Sequence, residues 1–200
     1  MSTAASRALR APRRRRPVVT RDELARALAG VEAATDRAER FRRDPVSIVH
    51  GFADPSDQEL VALVSASLAF GKVATVLRKI REVLERLGDR PSLVADDAPR
   101  VERALRGWVH RVYRGDDVAR LLVGARRVQN ESGSLGARFG AELAAHGALR
   151  PALSAFVRAV RAAGGFPPSG AGSRGASHLL PDPTGSSGCK RLLLDRKSVV

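Results

Sequence analysis

The segment from Ser56 to Gly88 constrains the fold more than any other, because two apolar helical patterns stand back to back with only a short break between them. Ser56 followed by Glu59 reads as a capping box. Leu60, Val61, Leu63, Val64, Leu68 and Phe70 then cover most of a helix circumference, which predicts a central core helix ended by Gly71. Val73, Val76, Leu77, Ile80, Val83, Leu84 and Leu87 follow at helical spacing and stop at Gly88, so the pair predicts a helical hairpin. A chain built around such a pair buries its core between helices.

The rest of the chain agrees with that choice. Thr20 with Glu23 forms a further capping box ahead of Leu24, Leu28 and Val31, and Asp44-Pro45 opens a short helix with Val46, Val49 and Phe52 turned inward. Helices are also expected through Val101–Trp108, Asp117–Asn130, Leu135–His146 and Pro151–Ala163, and no strand pattern competes. Hydrophobic residues make up 44% of the chain and aromatics only 4%, which suits an irregular all-α globule filled by Leu, Val and Ala. Five segments are expected: a basic disordered tail over 1–19, a helical domain over 20–163, a Gly/Pro/Ser-rich loop over 164–188, the start of a helix over 189–194, and a tail over 195–200. The last six residues, DRKSVV, resemble the read-through of a sequencing adapter, so the chain is expected to be C-terminally truncated.

Charge narrows the partners. The formal net charge is +14, and 31 of the 35 basic residues are Arg, a bias that a GC-rich coding sequence also produces. Residues 1–43 hold twelve Arg against five acids, a net of +7 concentrated around Arg13–Arg16. Such an arm is either a solubilising tail or a non-specific contact to phosphate. DNA is therefore the expected partner; no protein partner is implied, no stretch is apolar enough for a membrane, and a cytoplasmic location is expected.

Candidate chemistry sits near the end of the chain. His50, His110, His146 and His178 are scattered and Cys189 is alone, so no metal site, disulfide or cofactor is expected. TGSSGCKR has the composition of a phosphate-binding loop but not its spacing. Ser186 or Ser187 is expected to cap a new helix whose free N–H groups, with Lys190 and Arg191 beside them, favour an anion. Lys190 is the candidate nucleophile, since a neighbouring cation, desolvation and a helix N-terminus all disfavour its charged form; a surface lysine bound to solvent or phosphate is the alternative. Cys189 reads as a small buried hydrophobe.

Four motifs in order, DPVSIVHGF (Asp44–Phe52), DQELVALVSASLAFGKVATVLRKI (Asp57–Ile80), VYRGDDVARLL (Val112–Leu122) and HLLPDPTGSSGCKRL (His178–Leu192), resemble a bacterial family of unknown function over roughly Arg40–Leu194. Its members continue past the Lys-Arg pair in a way that is similar to the helix-hairpin-helix DNA glycosylases, the archaeal 8-oxoguanine enzymes among them. The resemblance implies a turn at Phe70, Gly71 and Lys72 that approaches DNA. It also implies Lys190 as a Schiff-base lysine, supported by an aspartate some thirty residues on, with Gly185, Ser186, Ser187, Gly188 and Arg191 on phosphate. Base excision of a damaged purine is the function so implied. A non-catalytic nucleic-acid-binding helical protein is the alternative.

Overall fold

The structure, a computed structural model, describes residues 19–168, 174–185 and 187–189. The chain is all-α, with eleven helices and one two-residue-stranded hairpin among the described residues. It divides into two compact units, Met1–Arg37 and Ala38–Val200.

In the first unit, α1 (Arg21–Ala33) carries the expected capping box: Glu23 N donates to Thr20 Oγ1 at 3.2 Å while Thr20 N donates to Glu23 Oε2 at 2.8 Å. Leu24, Leu28 and Val31, which follow the box at helical spacing, are 53%, 60% and 64% exposed. Local capping and backbone bonds hold this helix, because it buries none of its own residues.

The second unit runs through α2 (Arg37–Arg42), α3 (Val46–Val49), α4 (Pro55–Leu68), α5 (Val73–Leu87), α6 (Pro91–Ala95), α7 (Ala98–Leu105), β1 (Val109–His110), β2 (Tyr113–Arg114), α8 (Gly115–Ser132), α9 (Leu135–His146), α10 (Leu149–Ala163) and α11 (Arg174–Leu179). As expected, α4 is buried nearly all round, from Leu60 to Leu68. The hub, however, is α8, which packs against α4, α6, α7, α9, α10, α11 and β2. Its approach to α10 depends on glycine at two places: a Cβ on Gly124 would strike Val160 O, and one on Gly164 would strike Arg120 O. Trp108, Tyr113, Leu121, Leu122, Val157 and Val160 are among the side chains this arrangement seals from water.

Three local expectations change. The N-cap of α4 is Asp54 rather than Ser56, because Pro55 takes the first helical position and Asp54 Oδ1 accepts from Ser56 N at 2.8 Å. Glu59 is thereby released from the capping box. It reaches across the core to accept from Leu135 N and Gly136 N at 2.8 and 3.0 Å, capping α9, and from Gln129 Nε2 at 2.9 Å. The stretch expected to be a loop contains α11, which docks through Gly175 so closely that a Cβ there would clash with Asp117 Oδ2 and Val112 O. Strand structure, not expected at all, appears as the β1–β2 hairpin with His110 opposite Tyr113.

Candidate functional site

The α4–α5 connection and the β-hairpin turn meet at Gly71. Its φ of +122° excludes most side chains, and a Cβ there would lie 2.8 Å from both Nε and Nη2 of Arg111. Arg111, at the hairpin tip, has φ +55° and lays its guanidinium over Phe70 with Cζ 4.8 Å from the ring centroid. Phe70 is 40% exposed, and neither Arg111 nor Lys72 has a hydrogen bond or ion pair among the described residues. Glycine at position 71 is what lets the cation approach the ring.

Behind this surface runs a row of rings that sequence reasoning missed. His178 of α11 meets Phe70 edge-on at 5.1 Å and takes part in a 2.7 Å hydrogen bond between its Nδ1 and the Tyr113 hydroxyl. Tyr113 neighbours His110 at 6.0 Å, and His110 neighbours Trp108 at 6.3 Å, with Lys79 Nζ 5.8 Å from the Trp108 ring. Burial pushes the His110 imidazole below the usual histidine value; a hydrogen bond with the Phe70 backbone opposes this, and the Arg111, Lys79 and Arg78 charges add to it. His110 is thus held neutral near pH 7. Trp108 Nε1 and His110 Nε2 are buried without a hydrogen-bond partner among the described residues.

The expected phosphate-loop residues lie elsewhere in the fold. Gly185 and Ser187 line a cleft of about 720 Å³ with Arg158, Arg161, Phe166 and Asp182. Gly188 is exposed beside buried Cys189. Ser187, Gly188 and Cys189 are not helical: Ser187 Oγ accepts from Cys189 N at 3.2 Å, and Cys189 takes φ +47°, outside the right-handed helical region. Cys189 is the small buried residue its type led one to expect, with Sγ 3.2 Å from Pro181 O. Ser186, Lys190 and Arg191 lie outside the described residues, as does the remainder of the helix expected over 189–194.

Asp182 organises the cleft. Ser154 Oγ and Thr184 Oγ1 each donate to its Oδ1 at 2.7 Å, and Thr184 N donates at 2.9 Å. Burial alone would raise its pKa, but these hydrogen bonds and the nearby Arg158 charge hold it below the usual carboxylate range. Arg161 Nη1 donates to Ala176 O and Leu180 O at 3.1 and 3.2 Å, and Nη2 to Pro167 O at 3.0 Å, which ties α10 to α11. Burial lowers its pKa, with Asp182 working in the opposite sense.

Among the described residues no group of three His, Cys, Asp or Glu side chains is placed to hold a metal ion, and no helix is long and apolar enough to cross a membrane. No curated protein and no solved structure matches the chain. Residues 44–195 match the family described as Protein of unknown function (DUF2400), a span that takes in the Phe70 turn, the ring row and the cleft, and the chain belongs to that family.

Proposed function

We propose that this protein binds DNA, and that the Phe70–Arg111 pair is where it meets an unstacked base. One observation carries the reading: a half-exposed aromatic ring bears a guanidinium with no carboxylate partner among the described residues, at the turn beside exposed Lys72, in a chain of net charge +14. An arginine plane backed by an aromatic ring offers a stacking surface to a base and a charge to its phosphate at once. The row behind it, Phe70 to His178 to Tyr113, fixes the platform from below. The protein is taken to be cytoplasmic.

Fluorescence anisotropy with single-stranded and duplex DNA tests the reading. Arg111→Ala should weaken binding by about 1–3 kcal/mol, and Arg111→Lys should restore only the part due to charge, because lysine lacks the planar group. Equal affinity of all three proteins would sink the proposal.

The catalytic form of this reading rests on the glycosylase resemblance. Lys190 would attack C1′ of the flipped nucleotide as the bond to the damaged purine breaks, its electron pair and a proton going to the base; the nitrogen, having lost a proton, would then expel O4′, which takes up a proton as the sugar ring opens, and a protonated Schiff base would remain at C1′. Gly185, Ser186, Ser187, Gly188 and Arg191 would hold phosphate. Borohydride trapping on DNA containing an oxidised purine, lost in Lys190→Gln and in Lys190→Arg alike, is the expected result. Trapping that survives Lys190→Arg would remove the lysine from this role.

A further inference from the structure

The cleft beside α10 has a charge pattern that the DNA-facing turn does not explain. It is lined by Phe166, Pro167, Pro168, Leu180, Asp182 and Ser187 among others, and its volume of about 720 Å³ lies within the range of small-molecule sites, roughly 300–1,000 Å³. Arg158 is exposed at its edge and makes no hydrogen bond or ion pair with any described residue. Arg161 spends its donors on three carbonyl oxygens and lies 4.9 Å over Phe166, so its charge is fixed in the wall without a carboxylate bonded to it. Asp182 takes all three of its hydrogen bonds on Oδ1, which leaves Oδ2 without a partner among the described residues.

Two cations thus face one carboxylate, and both a guanidinium and a carboxylate oxygen remain open for a ligand. A ligand that satisfies both must carry an anion and a hydrogen-bond donor. Hydrogen phosphate carries an anion and a donor but nothing for the apolar lining of Phe166, Pro167 and Pro168, and a nucleoside lacks the anion; a nucleoside phosphate carries all three. We propose that this cleft binds a nucleoside phosphate, with Arg158 and the Ser187 hydroxyl on the phosphate, Asp182 Oδ2 accepting from a sugar hydroxyl, and Phe166 with Pro167 and Pro168 as the apolar wall for the base. Guanidinium suits this role because its fork pairs with two phosphate oxygens at once. The site uses residues remote in sequence from the Phe70 turn and stands whether or not that turn binds DNA; it shares Ser187 with the phosphate contacts of the catalytic reading.

Adenosine 5′-monophosphate, adenosine and inorganic phosphate, titrated by calorimetry into the full chain, separate the possibilities. The monophosphate should saturate, adenosine should not bind measurably, and phosphate alone should bind more weakly than the monophosphate. Arg158→Ala removes only an exposed side chain and should leave the circular dichroism and melting temperature unchanged, while lowering monophosphate affinity about tenfold or more, the loss of a charge-assisted pair. Asp182→Asn should weaken the monophosphate but not inorganic phosphate. Oligonucleotides distinguish the source of the group: competition by a 5′-phosphorylated strand but not by its 5′-hydroxyl counterpart makes a nucleic-acid end the ligand, and competition by neither makes it a free nucleotide. Equal competition by both strands, no saturation by the monophosphate, or equal binding to Arg158→Ala would overturn the assignment.

Discussion

At the scale of single residues, the balance at Phe70 is set by contacts no neighbouring residue provides. Its ring would be an ordinary exposed hydrophobe were it not for Arg111 above it and His178 at its edge. Phe70→Ala removes the support for the guanidinium without changing the charge. DNA affinity should therefore fall by about 1–3 kcal/mol while the salt dependence of binding stays as in the parent. Titration of His110 gives a separate prediction. Its folded pKa lies below the ordinary 6.5, so the neutral ring's stabilisation is complete above that value and is lost as pH falls through the folded pKa. Melting temperature should decline as pH falls below about 6.5, and His110→Gln should flatten that decline. Asp96 and Asp182, whose pKa values are lowered from 3.8, lose their contribution only at lower pH, so the two windows are separable by the variant.

At the scale of elements, local signals were legible and non-local ones were not. The α4 and α5 helices follow from apolar spacing, because a helix is specified by residues three and four apart; Gly88 ends α5 as expected, whereas α4 stops at Leu68, ahead of Phe70 and Gly71. The Ser56–Glu59 pattern misled for the opposite reason. A capping box is a local motif, and nothing local reveals that Glu59 is drawn off by Gln129, Leu135 and Gly136, some seventy residues away. Glu59→Ala should leave the Leu135 and Gly136 N–H groups without their acceptor, while Ser134 still caps Ala137 N and Ser56 O still accepts from Gln129, at a cost of about 0.5–2 kcal/mol in denaturant unfolding. Two-residue strands give no alternation to read, which is why the β1–β2 hairpin was invisible. The helix α11 is likewise too short to stand out in a Gly/Pro/Ser-rich stretch, and its seat depends on Gly175. Gly175→Ala should displace it from Asp117 and Val112, lowering stability by about 1–3 kcal/mol and disturbing the Tyr113–His178 hydrogen bond; an unchanged melting temperature would contradict this packing.

For the whole molecule, the all-α architecture was legible in composition and periodicity, whereas the site was legible only in part. Phe70, Gly71 and Lys72 stand out because they interrupt two strong helices; Arg111, Tyr113 and His178 do not, because the fold alone joins positions 70, 110 and 178. The cleft behaves in the same way, since Gly185 and Ser187 are conspicuous in sequence while Arg158 and Arg161 look like the polar face of an ordinary helix. Charge is the one property that acts over the full chain, and half of it lies in residues 1–43. The most direct test of DNA binding at the Phe70–Arg111 turn is therefore the slope of log affinity against log salt, between 50 and 200 mM, for the full chain, for a form lacking residues 1–16, and for Arg111→Ala in each background. A steep slope is expected for the full chain, a shallower one without the arm, and a further loss of about one unit from Arg111→Ala in both backgrounds. A slope that Arg111→Ala leaves unchanged in the form without the arm would show that the turn is not where this protein meets DNA.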